Sequence, residues 1–83
     1  MNNSKKYKSQ LMLLRNKTEY IQVNVSTDSL DNNRVIIFLA KSKDNIDFTT
    51  YLDENLSNLE LNFEDTIDYL ITYFENKGYH IIL

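Results

Sequence analysis

Val35-Ile36-Ile37-Phe38-Leu39-Ala40 is a continuous apolar run. Its short length and β-branched residues favour a central β-strand over 35–40. Upstream, Ile21, Val23 and Val25 alternate with Gln22 and Asn24, which predicts a strand over 20–26 with one buried face. The intervening residues 27–33 are rich in Asp, Asn and Ser and read as a loop. Downstream, Lys43-Asp44-Asn45 reads as a turn. Ile46, Phe48, Thr50 and Leu52 then alternate with Asp47, Thr49 and Tyr51, predicting a third strand over 46–52. Three strands joined by short loops form an antiparallel meander.

Both flanks read as helical. Over residues 4–16, Tyr7, Leu11 and Leu14 fall at i, i+4 and i+7, with Ser4 as the N-cap. Lys5, Lys6 and Lys8 oppose the helix dipole there. Residues 1–8 are therefore expected to fray into a basic arm. Residues 53–61 fit either a helical turn or a loop anchored by Leu56, Leu59 and Leu61. After Asn62, an N-cap, the apolar stripe Phe63, Ile67, Leu70, Ile71 and Phe74 predicts an amphipathic helix. Gly78, the only glycine, fits a C′ position with left-handed backbone. Residues 79–83 read as a terminal strand. The expected fold is α+β: a small antiparallel sheet with two helices over one face, in the order α-β-β-β-α-β.

The 83 residues are expected to make one small domain (1–83). With no Cys and no Pro, neither a disulfide nor a proline linker shapes it. The apolar run 11–14 is too short for a signal-peptide core or a membrane span, which predicts a protein of the cytoplasm of a bacterial host cell.

The net charge of −3 hides a separation of sign. Residues 1–18 hold Lys5, Lys6, Lys8, Arg15 and Lys17 and no acid. From 44 to 76 the chain holds Asp44, Asp47, Asp53, Glu54, Glu60, Glu64, Asp65, Asp68 and Glu75 and no Lys or Arg. On the second helix Glu64, Asp68 and Glu75 share one side, flanked by Asp65 and Thr72. Like charges at i, i+4 are mildly destabilising, so selection for stability alone would place cations among them. A solvated acidic face is the plain reading, and a docking surface for a basic partner is the functional one. Tyr51, expected on the strand face that bears Asp47, adds contact area and a hydrogen-bonding tip. The expected partner-binding set is Asp44, Asp47, Tyr51, Asp53, Glu54, Glu64, Asp65, Asp68 and Glu75. The basic segment could meet phosphates, or acidic surface on the same or a second copy. An acidic body repels nucleic acid, so direct nucleic-acid binding is not expected.

Little in the chain points to catalysis. His80 stands alone without a Cys or a nucleophile motif. One glycine cannot build a phosphate-binding loop, and residues 44–54 lack the turn glycine of a calcium loop. The expectation is a non-enzyme without cofactor or metal.

In size, acidic surface and α/β make-up, carried by residues 44–54 and 63–76, the chain resembles phage-encoded anti-CRISPR proteins and other nucleic-acid-mimicking inhibitors. The resemblance implies an inhibitor whose carboxylates occupy the basic nucleic-acid groove of a bacterial defence nuclease. Residues 71–83, a helix ending at Gly78 and feeding a strand, also look like the C-terminal part of barstar-type ribonuclease inhibitors. That likeness implies an immunity or antitoxin protein acting on a toxic nuclease. A third expectation is a structural or regulatory module that dimerises through a strand edge; in any of these roles the chain is expected to be a monomer or homodimer.

Overall fold

The computed structural model describes residues 7–28 and 34–83. With so little Gly and Pro, Asn and Asp side chains make the turns. After strand β1 (Ser9–Arg15), Asn16 Oδ1 accepts hydrogen bonds from the Thr18 and Glu19 amides at 2.9 and 2.8 Å, turning the chain into β2 (Tyr20–Thr27). β1 and β2 then pair from Arg15↔Tyr20 to Ser9↔Ser26. β3 (Val35–Ser42) pairs along the whole of β2. A loop built around Asp44, with Asn45 at φ 63°, leads into the short β4 (Thr49–Tyr51). A 3-10 turn (Glu54–Leu56), helix α1 (Phe63–Glu75) and β5 (His80–Ile81) complete the chain.

The result is α+β: one antiparallel sheet in the order β4-β3-β2-β1-β5, with one helix. Here the first sequence expectation fails. Residues 9–15 are a strand, not the second half of a helix over 4–16, and residues 4–6 lie outside the described residues. The run Leu11-Met12-Leu13-Leu14 satisfies a period of 3.6 or of 2 equally well. Pairing with β2 decides for the strand, and Met12 and Leu14 become core residues. Of the expected basic arm, residues 1–6 also lie outside the described residues. Lys8 is tied to the sheet: its amide donates to Thr27 Oγ1 at 2.9 Å and its carbonyl accepts from the Thr27 amide at 3.0 Å.

The third strand is shorter than the expected 46–52. Residues 43–47 belong to the loop because Asp44 captures the Ile46 and Asp47 amides that a ladder would need. Residues 53–61 resolve into the 3-10 turn, capped by Asp53, which buries Leu56. The terminal strand is the pair His80–Ile81 beside β1, and Leu83 and Ile82 continue the contact through backbone bonds to Leu13.

Alternation on the strands sends Met12, Leu14, Ile21, Val23, Val25 and Leu39 to one side, where α1 covers them with Leu70 and Phe74. Asn62 Oδ1 caps α1 by accepting from the Asp65 amide at 2.7 Å. Gly78 ends it at φ 94°. The Tyr79 amide donates back to the Phe74 carbonyl and the Gly78 amide to that of Glu75, each at 3.0 Å. This six-to-one plus five-to-two pattern puts Gly78 at C′ as expected. The Phe74 and Tyr79 rings, 5.6 Å apart and edge to face, seal the end.

Candidate protein-binding surface

The nine expected partner-binding residues do not form one patch. Asp44 organises its own loop. Its Oδ1 accepts from the Ser42 hydroxyl at 2.7 Å, the Ile46 amide at 2.9 Å and the Asp47 amide at 3.0 Å. The Asp47 amide first, then the Ser42 hydroxyl and Ile46 amide, hold its carboxyl down at about 2. Asp44 and Asp47 share a shallow depression with Glu19, Lys41 and Lys43, so two cations offset the acids of this loop.

Tyr51 and Asp53 are also structural. Tyr51 lies half-buried on the core side of β4, with Lys41 Nζ 5.2 Å from its ring centroid. Burial, then the Tyr79, Asp53 and Glu19 charges, pushes its phenol above the ordinary tyrosine range. It is a core-edge side chain, and Asp47 is not on its strand. Asp53 Oδ1 accepts from the Asn55 amide at 3.0 Å, and its Oδ2 accepts from the Tyr73 hydroxyl at 2.6 Å, joining the 3-10 turn to α1. Tyr79 works similarly, donating to Glu19 across the β1–β2 turn. Burial and that carboxylate push its phenol up to about 12.

What α1 does bring together is its solvent face. At about 100° per residue, Glu64, Asp68 and Glu75 fall within about 40° of one another, and Asp65 about 60° further round. All four are exposed, on the side opposite the buried Thr66, Leu70 and Phe74. Glu64 has a partner: Lys8 Nζ stands 2.8 Å from its Oε2, and that bond lowers the Glu64 pKa. The same ammonium lies 5.7 Å from the Phe63 ring centroid. Among the described residues, no cation comes within ion-pair distance of Asp65, Asp68 or Glu75. Glu54, in the first turn of the 3-10 segment, is exposed.

The sequence allows the basic segment to meet acidic surface on the same copy, but it singles out neither the Lys8–Glu64 pair nor Tyr69. Lys8 reaches Glu64 across 56 positions, a contact with no local signature. Tyr69 stands exposed on α1 one turn after Asp65, its ring stacked with that of Tyr73 at 6.2 Å. Its helical spacing from Asp65 was legible, but the spacing alone also fits a tyrosine at the core margin.

No protein-family model, curated protein or solved structure matches the chain. Among the described residues, no three His, Asp or Glu side chains converge to hold a metal ion, and no helix is long and apolar enough to cross a membrane.

Proposed function

We propose that the chain is a small non-enzymatic inhibitor whose acidic α1 face occupies the basic nucleic-acid groove of a partner protein, in the manner of a phage antagonist of a bacterial defence nuclease. The observation that carries this reading is the line Glu64, Asp65, Asp68, Glu75 on one rigid helix face, with three of the four free of ion-pair partners among the described residues. Glu64 to Glu75 is eleven steps of about 1.5 Å, about 16 Å, so the four carboxylates stand on average about 5.5 Å apart along the axis. A single nucleic-acid strand carries about one per 3.4 Å. A groove lined with Lys and Arg to fit phosphates meets a sparser line of the same sign on this face. Steering between opposite charges would speed the encounter. Exposed Tyr69 beside the acids supplies apolar contact with little entropy to lose. In this reading the binding residues narrow to Glu64, Asp65, Asp68, Tyr69 and Glu75, with Glu54 beyond the helix.

The test is capture from bacterial host lysate with the wild-type chain and with the triple variant Glu64→Lys, Asp68→Lys, Glu75→Lys. The wild type should retain a basic nucleic-acid-binding protein, the variant should lose it at least ten-fold, and added oligonucleotide should compete it off. Equal retention by the variant, or no competition by oligonucleotide, would remove the α1 face from the mechanism.

A further inference from the structure

The side of the sheet away from α1 is the largest feature that the acidic helix does not explain. Alternation places Leu11 and Leu13 of β1, Gln22 and Asn24 of β2, and Ile36, Phe38 and Ala40 of β3 on this side. No helix covers it among the described residues. Leu11 is 59% exposed, Ile36 46% and Phe38 49%. Leu11 and Phe38 flank Asn24 in register, so two apolar stripes, one on β1 and one on β3, border a polar stripe on β2, and Ala40 is already buried. A half-exposed Phe and Leu on one side of a sheet, on either side of neutral amides, mark an interaction surface more than a scattered set of apolar residues does.

We infer that this open sheet face is a self-association surface, and that its occupant is a second copy of the chain packed face to face. Three observations select a copy over a foreign partner. The first is charge. No Asp or Glu occupies this side of β1, β2 or β3, and its one charged side chain, Arg15, sits at the end of β1 with its guanidinium 5.1 Å from the Tyr20 ring centroid. A two-fold interface presents the same patch to itself, so any charge at its centre would meet its own like. In a chain with 12 acids against 9 Lys and Arg, a face free of acids and charged only at one end meets itself with little repulsion.

The second is polarity. The polar groups near the middle are the amides of Gln22 and Asn24, and each amide carries both donors and an acceptor. Amides are self-complementary, so two copies about a two-fold axis can satisfy each other's hydrogen bonds. Neither Arg nor Asp could do so.

The third is size. Strands about 4.8 Å apart and residues about 3.3 Å apart give the three long strands, over about seven residues each, a flat area of about 330 Å² per copy. A corrugated face offers more accessible area than its projection, which leaves the pair below about 1,200 Å² and so among weak, transient interfaces. The expected dimer is reversible, half-formed in the range of about 10–100 μM. Sheets pack about 10 Å apart. The acidic helices, each behind its own sheet, then stand well beyond a Debye length of about 8 Å, and their mutual repulsion is screened. A pairing of sheet edges does not serve, because it leaves Leu11 and Phe38 uncovered.

The dimer leaves both α1 faces outward on opposite sides. The inference holds whether or not those faces bind a basic groove, and the experiment needs no partner. Sedimentation equilibrium of the full chain from about 5 to 500 μM should show a monomer–dimer equilibrium. Over the same series, amide shifts should move at Leu11, Asn24 and Phe38 and stay fixed over α1. Phe38→Glu and Leu11→Glu, each at a half-exposed site, should keep the far-UV circular dichroism of the fold and raise the dissociation constant at least ten-fold. A chain monomeric at 500 μM overturns the proposal. So do concentration-dependent shifts confined to α1 or the strand edges. Nuclear Overhauser contacts from residues 1–6 to Phe38 in a monomer overturn it as well, assigning the face to the chain's own N-terminal segment.

Discussion

Asp44, Asp53 and Glu64 each hold a piece of the chain in place, which is why acidity alone misjudges them. A carboxylate that accepts backbone N–H bonds replaces the ladder contacts a turn gives up. Asp44 does so for the Ile46 and Asp47 amides and also accepts from the Ser42 hydroxyl. These donors stabilise the ionised form and depress the folded pKa from 3.8 to about 2. The stabilisation is therefore complete above the unfolded value and disappears as pH falls through the folded one. In Asp44→Asn the acceptor oxygen remains but the charge does not. The variant should unfold at lower urea than the wild type at pH 6, and the gap should close between pH 4 and 2. Urea midpoints measured at half-unit pH steps check this. A gap that stays constant down to pH 2 would mean the charge is not what organises the loop. Asp44 had been expected to face a partner because the sequence shows its charge but not the three donors around it.

At the scale of elements, the end of α1 is the most sharply determined. Gly78 sits at φ 94°, and a Cβ built there meets nothing within 4 Å. Substitution is thus a test of backbone strain alone. Gly78→Ala should lower stability by about 1 kcal/mol, with Gly78→Asn falling between the two. Chemical denaturation of the three chains checks the order, and an Ala variant as stable as the wild type would contradict the left-handed assignment. This end was legible because one glycine after an amphipathic stripe has few other uses. The strands at 20–27 and 35–42 were legible for a similar reason, their alternation or β-branched runs being short and bounded by turn residues. β1 was not. Four consecutive apolar residues, 11–14, carry no period, and the pairing that fixes them as a strand comes from residues 20–26. The acidic face of α1 was visible from spacing, since helical geometry follows from the stripe Phe63, Ile67, Leu70 and Phe74. The open apolar sheet face was hidden behind β1: with residues 4–16 read as a helix, Leu11 had no place on a sheet.

At the scale of the whole molecule, the acidic helix layer and the acid-free sheet face lie on opposite sides, so a single body separates two kinds of contact. In the proposed function, the acidic side competes with nucleic acid for a basic groove, and salt distinguishes the competitors. A nucleic-acid duplex carries a condensed counterion layer, and binding releases it. Its affinity therefore falls steeply with salt, with a slope set by the number of phosphates neutralised. The α1 carboxylates stand on average about 5.5 Å apart along one side of a helix, and Lys8 already offsets Glu64. It holds fewer counterions to release, so its complex loses less affinity as salt rises, and apolar contact at Tyr69 is not screened at all. Both complexes weaken with salt, but not in parallel. For the captured partner, raising salt from about 50 to 200 mM should weaken its nucleic-acid complex by at least ten times more than its complex with this chain. Competition titrations at the two salt concentrations measure the ratio directly. Inhibition should therefore need less protein per site at the higher salt. Parallel loss of both complexes would show that the contact is carried by something other than a sparse line of carboxylates.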